Sequence, residues 1–311
     1  MLILTALVPV ALIVALGYGL RRTLLKEASH WFAMEQLTYF VLFPALLTVS
    51  AARADLSRVS FSGVVGAYGL TLTILFLLLI AARPLLARTL GVSGPAFTSV
   101  AQGVLRWNSY LALAVASGLY GAEGVTVAAV ALASLVPFVN IMVVWLLARH
   151  ASTRPPGMGT VLRQLARNPL ILSCAAGMAI NMLSLPVPAV VMEFGDILGR
   201  ASLALGIMVV GAGLSLRGLA RPKPEALLAV ILDLLVKPAM TLGIGLWFGL
   251  SGVELVTITL LSAVPSAPAG YVLARQMGGD APLLAQILTL QILASAVTLP
   301  LVAYAAQAVA A

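Results

Sequence analysis

The stretch Leu261-Ser262-Ala263-Val264-Pro265-Ser266-Ala267-Pro268-Ala269-Gly270-Tyr271 lies in an apolar run long enough to cross a bilayer and carries two prolines near its middle. Each interior proline removes a backbone donor and crowds the carbonyl one turn back, at a cost of about 3 kcal/mol in a helix interior. In hydrocarbon, the freed backbone groups survive only inside protein or against a polar cavity. The reading that follows is two half-helices meeting at an unwound centre, with Ser266 capping the second half and Pro268 close to its first turn. The alternative is a continuous packing helix with a proline kink.

A second unusual segment weighs against the kink. Phe97 to Tyr120 contains Gln102-Gly103-Val104-Leu105-Arg106-Trp107-Asn108-Ser109-Tyr110, which places Arg106 and Asn108 near mid-span. A charged side chain at the bilayer centre costs about 2.5–3.5 kcal/mol on insertion scales, so it faces a water-filled cavity or a partner. Asn108 suits the cap of a half-helix that begins at Ser109.

Around these two segments the chain is 61% hydrophobic over 311 residues, and only 9% of it is charged. With a mean hydropathy of +1.09, no soluble core absorbs that many apolar side chains, and the chain reads as a polytopic, all-α membrane protein. The net charge of +8 does not point to nucleic acid, because the basic residues sit in loops between apolar spans and act as topology signals. Cys174, the single cysteine, excludes an intramolecular disulfide and argues against a thiolate metal site. His30 and His150 lie beside basic loop residues, away from membrane depth. No metal site and no cofactor are expected.

Met1 to Leu20 is apolar and is followed by Arg21, Arg22 and Lys26. A cleaved signal peptide carries its charges before the apolar run, so this reads as a retained first span with its N-terminus outside. Further spans are expected at about 34–52, 61–82, 95–120, 124–148, 168–184, 190–216, 226–250, 254–276 and 283–306. With ten spans in alternation, the inner loops hold Arg21, Arg22, Lys26, Arg83, Arg88, Arg149, Arg154, Arg163, Arg167, Arg217, Arg221, Lys223 and Arg275, against Arg53 and Arg58 in clear outer loops. This bias places both termini outside a plasma (inner) membrane.

Residues 149–167 form a basic cytoplasmic linker around Pro155-Pro156-Gly157 and divide the chain into five-span halves, 1–148 and 168–311. Because five is odd, the halves have opposite orientation. A shift of about 160 residues pairs Pro9 with Pro169, the region of Asn108 with Pro268, and Asn140 with Pro300. Inverted repeats with interrupted spans at matching positions are the sequence pointer to the binding site of a secondary transporter.

At these segments the sequence resembles the auxin efflux carrier family of permeases, in its bacterial branch. The resemblance rests on Arg106-Trp107-Asn108-Ser109-Tyr110, Gly211-Ala212-Gly213-Leu214-Ser215-Leu216, Lys237-Pro238 and Pro265-Ser266-Ala267-Pro268 running to Gly278-Gly279-Asp280. It extends to Phe43-Pro44-Ala45-Leu46-Leu47 and Asn168-Pro169-Leu170. Many members follow the fourth-span asparagine with Gly-Phe-Leu-Gly-Leu-Pro, where this chain has Ser109-Tyr110-Leu111-Ala112-Leu113-Ala114. The resemblance implies a fold similar to bile acid:sodium symporters, with the fourth and ninth spans crossing at their unwound centres in the membrane. It further implies small organic anions as substrates (dicarboxylates or auxin-like acids) and an elevator-like motion against a scaffold of spans one, two, six and seven.

An anion at the crossing would meet half-helix N-termini with unsatisfied amides and partial positive charge. Arg106 would add a planar fork for a carboxylate, or else pair with an internal acid or with backbone carbonyls. Asn108, Ser109, Asn140, Pro265, Ser266 and Pro268 complete the expected substrate site. Asp233 and Lys237 stand four apart on one helical face. They read either as a self-neutralising pair or as a coupling carboxylate beside a substrate counter-charge, exposed where Pro238 breaks the helix. Asp196 and Arg200 repeat the spacing as an interfacial ion pair. Gln102, Gln286, Gln291 and Ser262 offer further polar lining or helix glue, Glu35 reaches the interface, and Arg275 before Gly278 and Gly279 reads as a helix end.

An intramembrane hydrolase would need a serine–histidine pair or paired aspartates at depth, and Asp233 stands beside a lysine instead. An anion channel or a non-transporting membrane sensor of the same fold remains open. There is no Walker-type nucleotide loop, so energy would come from the substrate gradient, the membrane potential, or a proton or sodium ion. At 100 mV one charge is worth about 2.3 kcal/mol, which favours export of an anion roughly fifty-fold without a coupled ion. Small-residue spacing such as Gly245 to Gly249 permits the close helix packing that a homodimer would use.

Overall fold

A computed structural model describes residues 2–53, 60–151, 159, 163, 167, 169–214 and 221–310. The expected Pro155-Pro156-Gly157 linker with Arg154, and Arg58, Asn168, Ser215, Leu216 and Arg217, lie outside these residues. Among the described residues all regular structure is helical. The elements are α1 (Leu2–Arg22), α2 (Ala28–Arg53), α3 (Phe61–Thr89), α4 (Gly94–Leu105), α5 (Ser109–His150), α6 (Pro169–Met182), α7 (Ala189–Ala212), α8 (Pro224–Trp247), α9 (Gly252–Ala263), α10 (Ala269–Met277) and α11 (Ala281–Ala310). By length and apolarity, α2, α3, the α4–α5 stretch, α7, α8 and α11 are able to cross a membrane, and α6 and α9 are shorter apolar helices.

Both expected interruptions are present. Helix α4 ends at Leu105, Arg106 is extended, and α5 starts at Ser109. The Asn108 side chain caps α5 at this start. Helix α9 ends at Ala263, Val264 is extended, and α10 starts at Ala269. A third discontinuity lies inside α5, where Gly121 (φ 54°, ψ −134°) turns the chain between the segments read as spans 95–120 and 124–148. Only glycine takes that backbone readily. At the far end of α10, Gly278 adopts φ 79° and stops the helix after Arg275, as expected.

Two of the interior prolines are accommodated by a widened turn. Ahead of Pro44 and Pro238 the helix widens into a π-turn, over Thr38–Leu42 in α2 and Leu232–Val236 in α8. In each, the amide before the proline bonds five residues back, Phe43 to Thr38 and Lys237 to Leu232. The wider turn relieves the clash of the ring with the preceding carbonyls.

Helices α1, α2, α6 and α7 pack with their backbones unusually close. A Cβ on Gly17 would stand 2.1 Å from the Met208 carbonyl oxygen, and one on Gly211 would stand 2.0 Å from that of Val14, so α1 and α7 cross on reciprocal glycines. Gly177 of α6 meets the Thr48 backbone of α2 in the same way, and Thr48 Oγ1 donates to the Ser173 carbonyl at 3.2 Å. Such approaches replace the hydrophobic drive that is missing between helices in lipid. The expected Asp196–Arg200 pair is not what forms. Asp196 pairs with Arg53 of α2 instead, and Arg200 faces Glu193 at 3.7 Å, because the α2–α7 contact turns Asp196 toward α2.

The remaining helices surround α4 and α9, whose residues are almost entirely buried. The two groups meet through α5: Tyr110 stacks on Phe43 of α2 with ring centroids 4.6 Å apart, and both rings lie against Gly206 of α7.

Candidate functional site at the two helix breaks

The two breaks are hydrogen-bonded to each other. The Asn108 amide donates to the Pro265 carbonyl at 2.7 Å, and Ser266 Oγ donates to the Gln102 carbonyl at 3.1 Å. From α11, the buried Gln291 spans both, accepting from the Ser266 amide at 3.1 Å and donating to the Gly103 carbonyl at 2.8 Å. Lys237 of α8 donates to the Val104 carbonyl at 2.9 Å, to the Arg106 carbonyl at 3.3 Å and to Asp233. Helix ends leave their last carbonyls without partners along the helix; here those of Gly103 and Val104 are held by a glutamine and a lysine, and the Gln102 carbonyl, which also takes the Arg106 amide at 3.2 Å, by a serine.

This arrangement revises two expectations. Ser266 does not cap its own half-helix, for the N-cap position of α10 is Pro268 without a side-chain bond. Ser266 services the opposing break instead. Lys237 is not exposed by a break at Pro238, because the π-turn keeps α8 continuous and leaves both Lys237 and Asp233 at 0% exposure. Sequence spacing found the pair but not the reach of the ammonium to the Val104 and Arg106 carbonyls.

Asn108 caps α5 as expected, its Oδ1 accepting from the amides of Tyr110 at 3.0 Å and Leu111 at 3.1 Å. Ser109 opens that helix, partly exposed. Arg106 is half-buried, and its guanidinium donates to Asn140 Oδ1 at 2.8 Å. This joins two expected site residues from separate parts of the chain. Tyr39, on the π-turn of α2, lies within electrostatic reach of Arg106 and, with Glu35, of Tyr110. Pro265 is buried and contributes its carbonyl. Pro268 is half-buried and reaches an open cavity of about 830 Å³ that is also lined by Arg21, Arg22, Trp31, Glu35 and Leu214.

The other candidates disperse. Ser262 bonds within α9, Gln286 accepts from the Lys223 amide at 3.2 Å, and Arg275 is exposed near the end of α10. Tyr39 and the stacked Phe43–Tyr110 pair were not picked out from sequence. The Pro44 that forces the π-turn was the available signal, since π-turns often accompany functional sites.

Electrostatically, the Asp233–Lys237 pair is self-neutral, so Arg106 supplies the positive charge at the breaks among the described residues. The first turns of α5 and α10 add partial positive charge. Such a set of donors is suited to a carboxylate. A family model described as membrane transport protein matches residues 2–303. No curated protein matches the chain.

Proposed function

The chain belongs to the membrane transport protein family over nearly its whole length, the auxin efflux carrier family that its motifs resemble, and from this premise we propose that it is a secondary-active carrier of small carboxylates working by an elevator-like motion. The observation that carries the reading is the junction of the two broken helices beside Arg106 and Asn140. A carrier needs a site that binds a charged solute without leaving backbone groups bare in lipid, and discontinuous helices meeting end to end supply one.

In this account the chain has ten spans in two inverted repeats, 1–148 and 168–311, with the basic linker 149–167 in the cytoplasm and both termini outside the plasma membrane. The close-packed α1, α2, α6 and α7 serve as the scaffold, and the breaks ride on the other helices. The open cavity beside Pro268 is lined by Arg21 and Arg22, which the charge bias places on the inner side, so it corresponds to inward access. Arg106 takes the carboxylate, Asn140 fixes the guanidinium plane, and Asn108, Ser109, Pro265, Ser266 and Pro268 shape the site. Lys237 acts on the solute through the break that it holds, and Asp233 exchanges a proton when motion of that break frees it.

Counterflow in liposomes tests the carrier reading. A carrier accumulates labelled malate, malonate, lactate or indole-acetate against a preloaded unlabelled anion. Ion conductance without counterflow would instead identify a channel.

A further inference from the structure

Most of the buried polar atoms that find no partner among the described residues cluster at the first break: both amide atoms of Gln102, Arg106 Nε, Trp107 Nε1, Asn108 Nδ2 and, behind Lys237, Asp233 Oδ2. Gln102 is the extreme case. Its side chain is 1% exposed, and neither its donor nor its acceptor is used. Buried amides are normally satisfied, and an idle one in a native core calls for an explanation. Packing does not supply one, since a leucine or methionine fills the same space without desolvating two polar atoms.

The position of the amide supplies one. A Cβ added at Gly270, in the first turn of α10, would stand 3.4 Å from Gln102 Oε1 and 3.4 Å from Arg106 Cδ. The start of α10 thus lies in van der Waals range of the idle amide and the guanidinium stem together. A solute whose carboxylate bonded Arg106 and the α10 terminus would bring its next carbon to the side of Gln102, whose Oε1 lies against that terminus. One amide offers an acceptor and a donor side by side, and a hydroxyl satisfies both. A keto group satisfies only the donor, an ammonium only the acceptor, and a methylene neither.

We infer that Gln102 is a specificity-determining residue that reads a hydroxyl next to the carboxylate, and that the carried anion is a 2-hydroxy acid. This rests on the carboxylate reading of the site above. Discrimination follows from leaving both amide atoms unpaired with any analogue that lacks the hydroxyl, the mechanism by which polar sites reject deoxy substrates far more strongly than apolar sites reject an extra group.

The test uses the full purified chain and two matched pairs, lactate against propionate and malate against succinate, with half-saturation read from ligand-induced shifts in melting temperature. In at least one pair the hydroxy acid binds at least about ten-fold tighter. In Gln102→Met, and in Gln102→Leu as a second variant, that ratio falls to about one. The empty variants melt no lower than wild type, because the lost polarity was unpaired. A ratio of one in wild type, a ratio that survives both variants, or empty variants that melt well below wild type would each overturn the role of Gln102 while leaving the carboxylate reading intact. If no carboxylate shifts the wild type at all, the carboxylate reading falls as well.

Discussion

Replacing Lys237 with methionine removes the ammonium that joins α8 to the first break. Asp233 then stays behind as an uncompensated carboxylate at 0% exposure, and the Val104 and Arg106 carbonyls lose their donor. Removing one partner of a buried ion pair costs about 3–5 kcal/mol, and each orphaned carbonyl adds about 1–3 kcal/mol where no water enters. The double variant Lys237→Met/Asp233→Leu separates these contributions. It abolishes the stranded charge but not the two bare carbonyls, so it recovers most of the charge penalty and keeps a residual loss of about 2–6 kcal/mol. A double-mutant cycle on denaturant unfolding of the detergent-solubilised protein, with Asp233→Leu as the fourth corner, measures the coupling. A neutral single variant, or a double variant as unstable as the sum of the singles, would refute the assignment of Lys237 as a structural clasp on the break.

Other substitutions probe neighbouring features. Gly17→Ala and Gly211→Ala each press a methyl into a backbone oxygen at about 2 Å; melting should show a loss of about 1–3 kcal/mol or more from overpacking, whereas Gly243→Ala, with open space around it, should be silent. Asn108→Ala should cost about 1 kcal/mol through the lost cap of α5, and Asn108→Ser should restore much of it in the same unfolding assay. Gln291→Leu orphans the Ser266 amide and the Gly103 carbonyl and is expected to cost about 1–3 kcal/mol for each. Arg53→Ala, by contrast, breaks a pair whose arginine is half exposed and should change stability by less than about 1 kcal/mol.

The membrane class, the two helix breaks and the cap at Asn108 were legible because each is local: hydropathy, proline and capping chemistry act within a turn or two. The charge spacing of Asp233 and Lys237 was legible for the same reason. What sequence did not disclose depends on which helices adjoin. Ser266 sits where a cap for α10 is expected, yet its hydroxyl meets the Gln102 carbonyl of α4. Asp196 has Arg200 one turn away, yet Arg53 is brought closer by the α2–α7 contact. The π-turns ahead of Pro44 and Pro238 were hidden because a proline in a helix admits a kink, a break or a widened turn, and neighbouring packing selects among them. Gln102 and Gln291 look alike as isolated amides in apolar runs. Only their surroundings show one fully engaged and the other idle.

The central claim, that the junction of the broken helices is an anion site built on Arg106, is tested most directly by a concentration series of carboxylate counterflow in liposomes, comparing wild type with Arg106→Gln at matched folded content. Losing the charged fork should raise the half-saturating concentration at least about ten-fold, equivalent to about 1.4 kcal/mol. Saturable counterflow with an unchanged half-saturating concentration in Arg106→Gln would contradict the claim and place the anion elsewhere in the molecule.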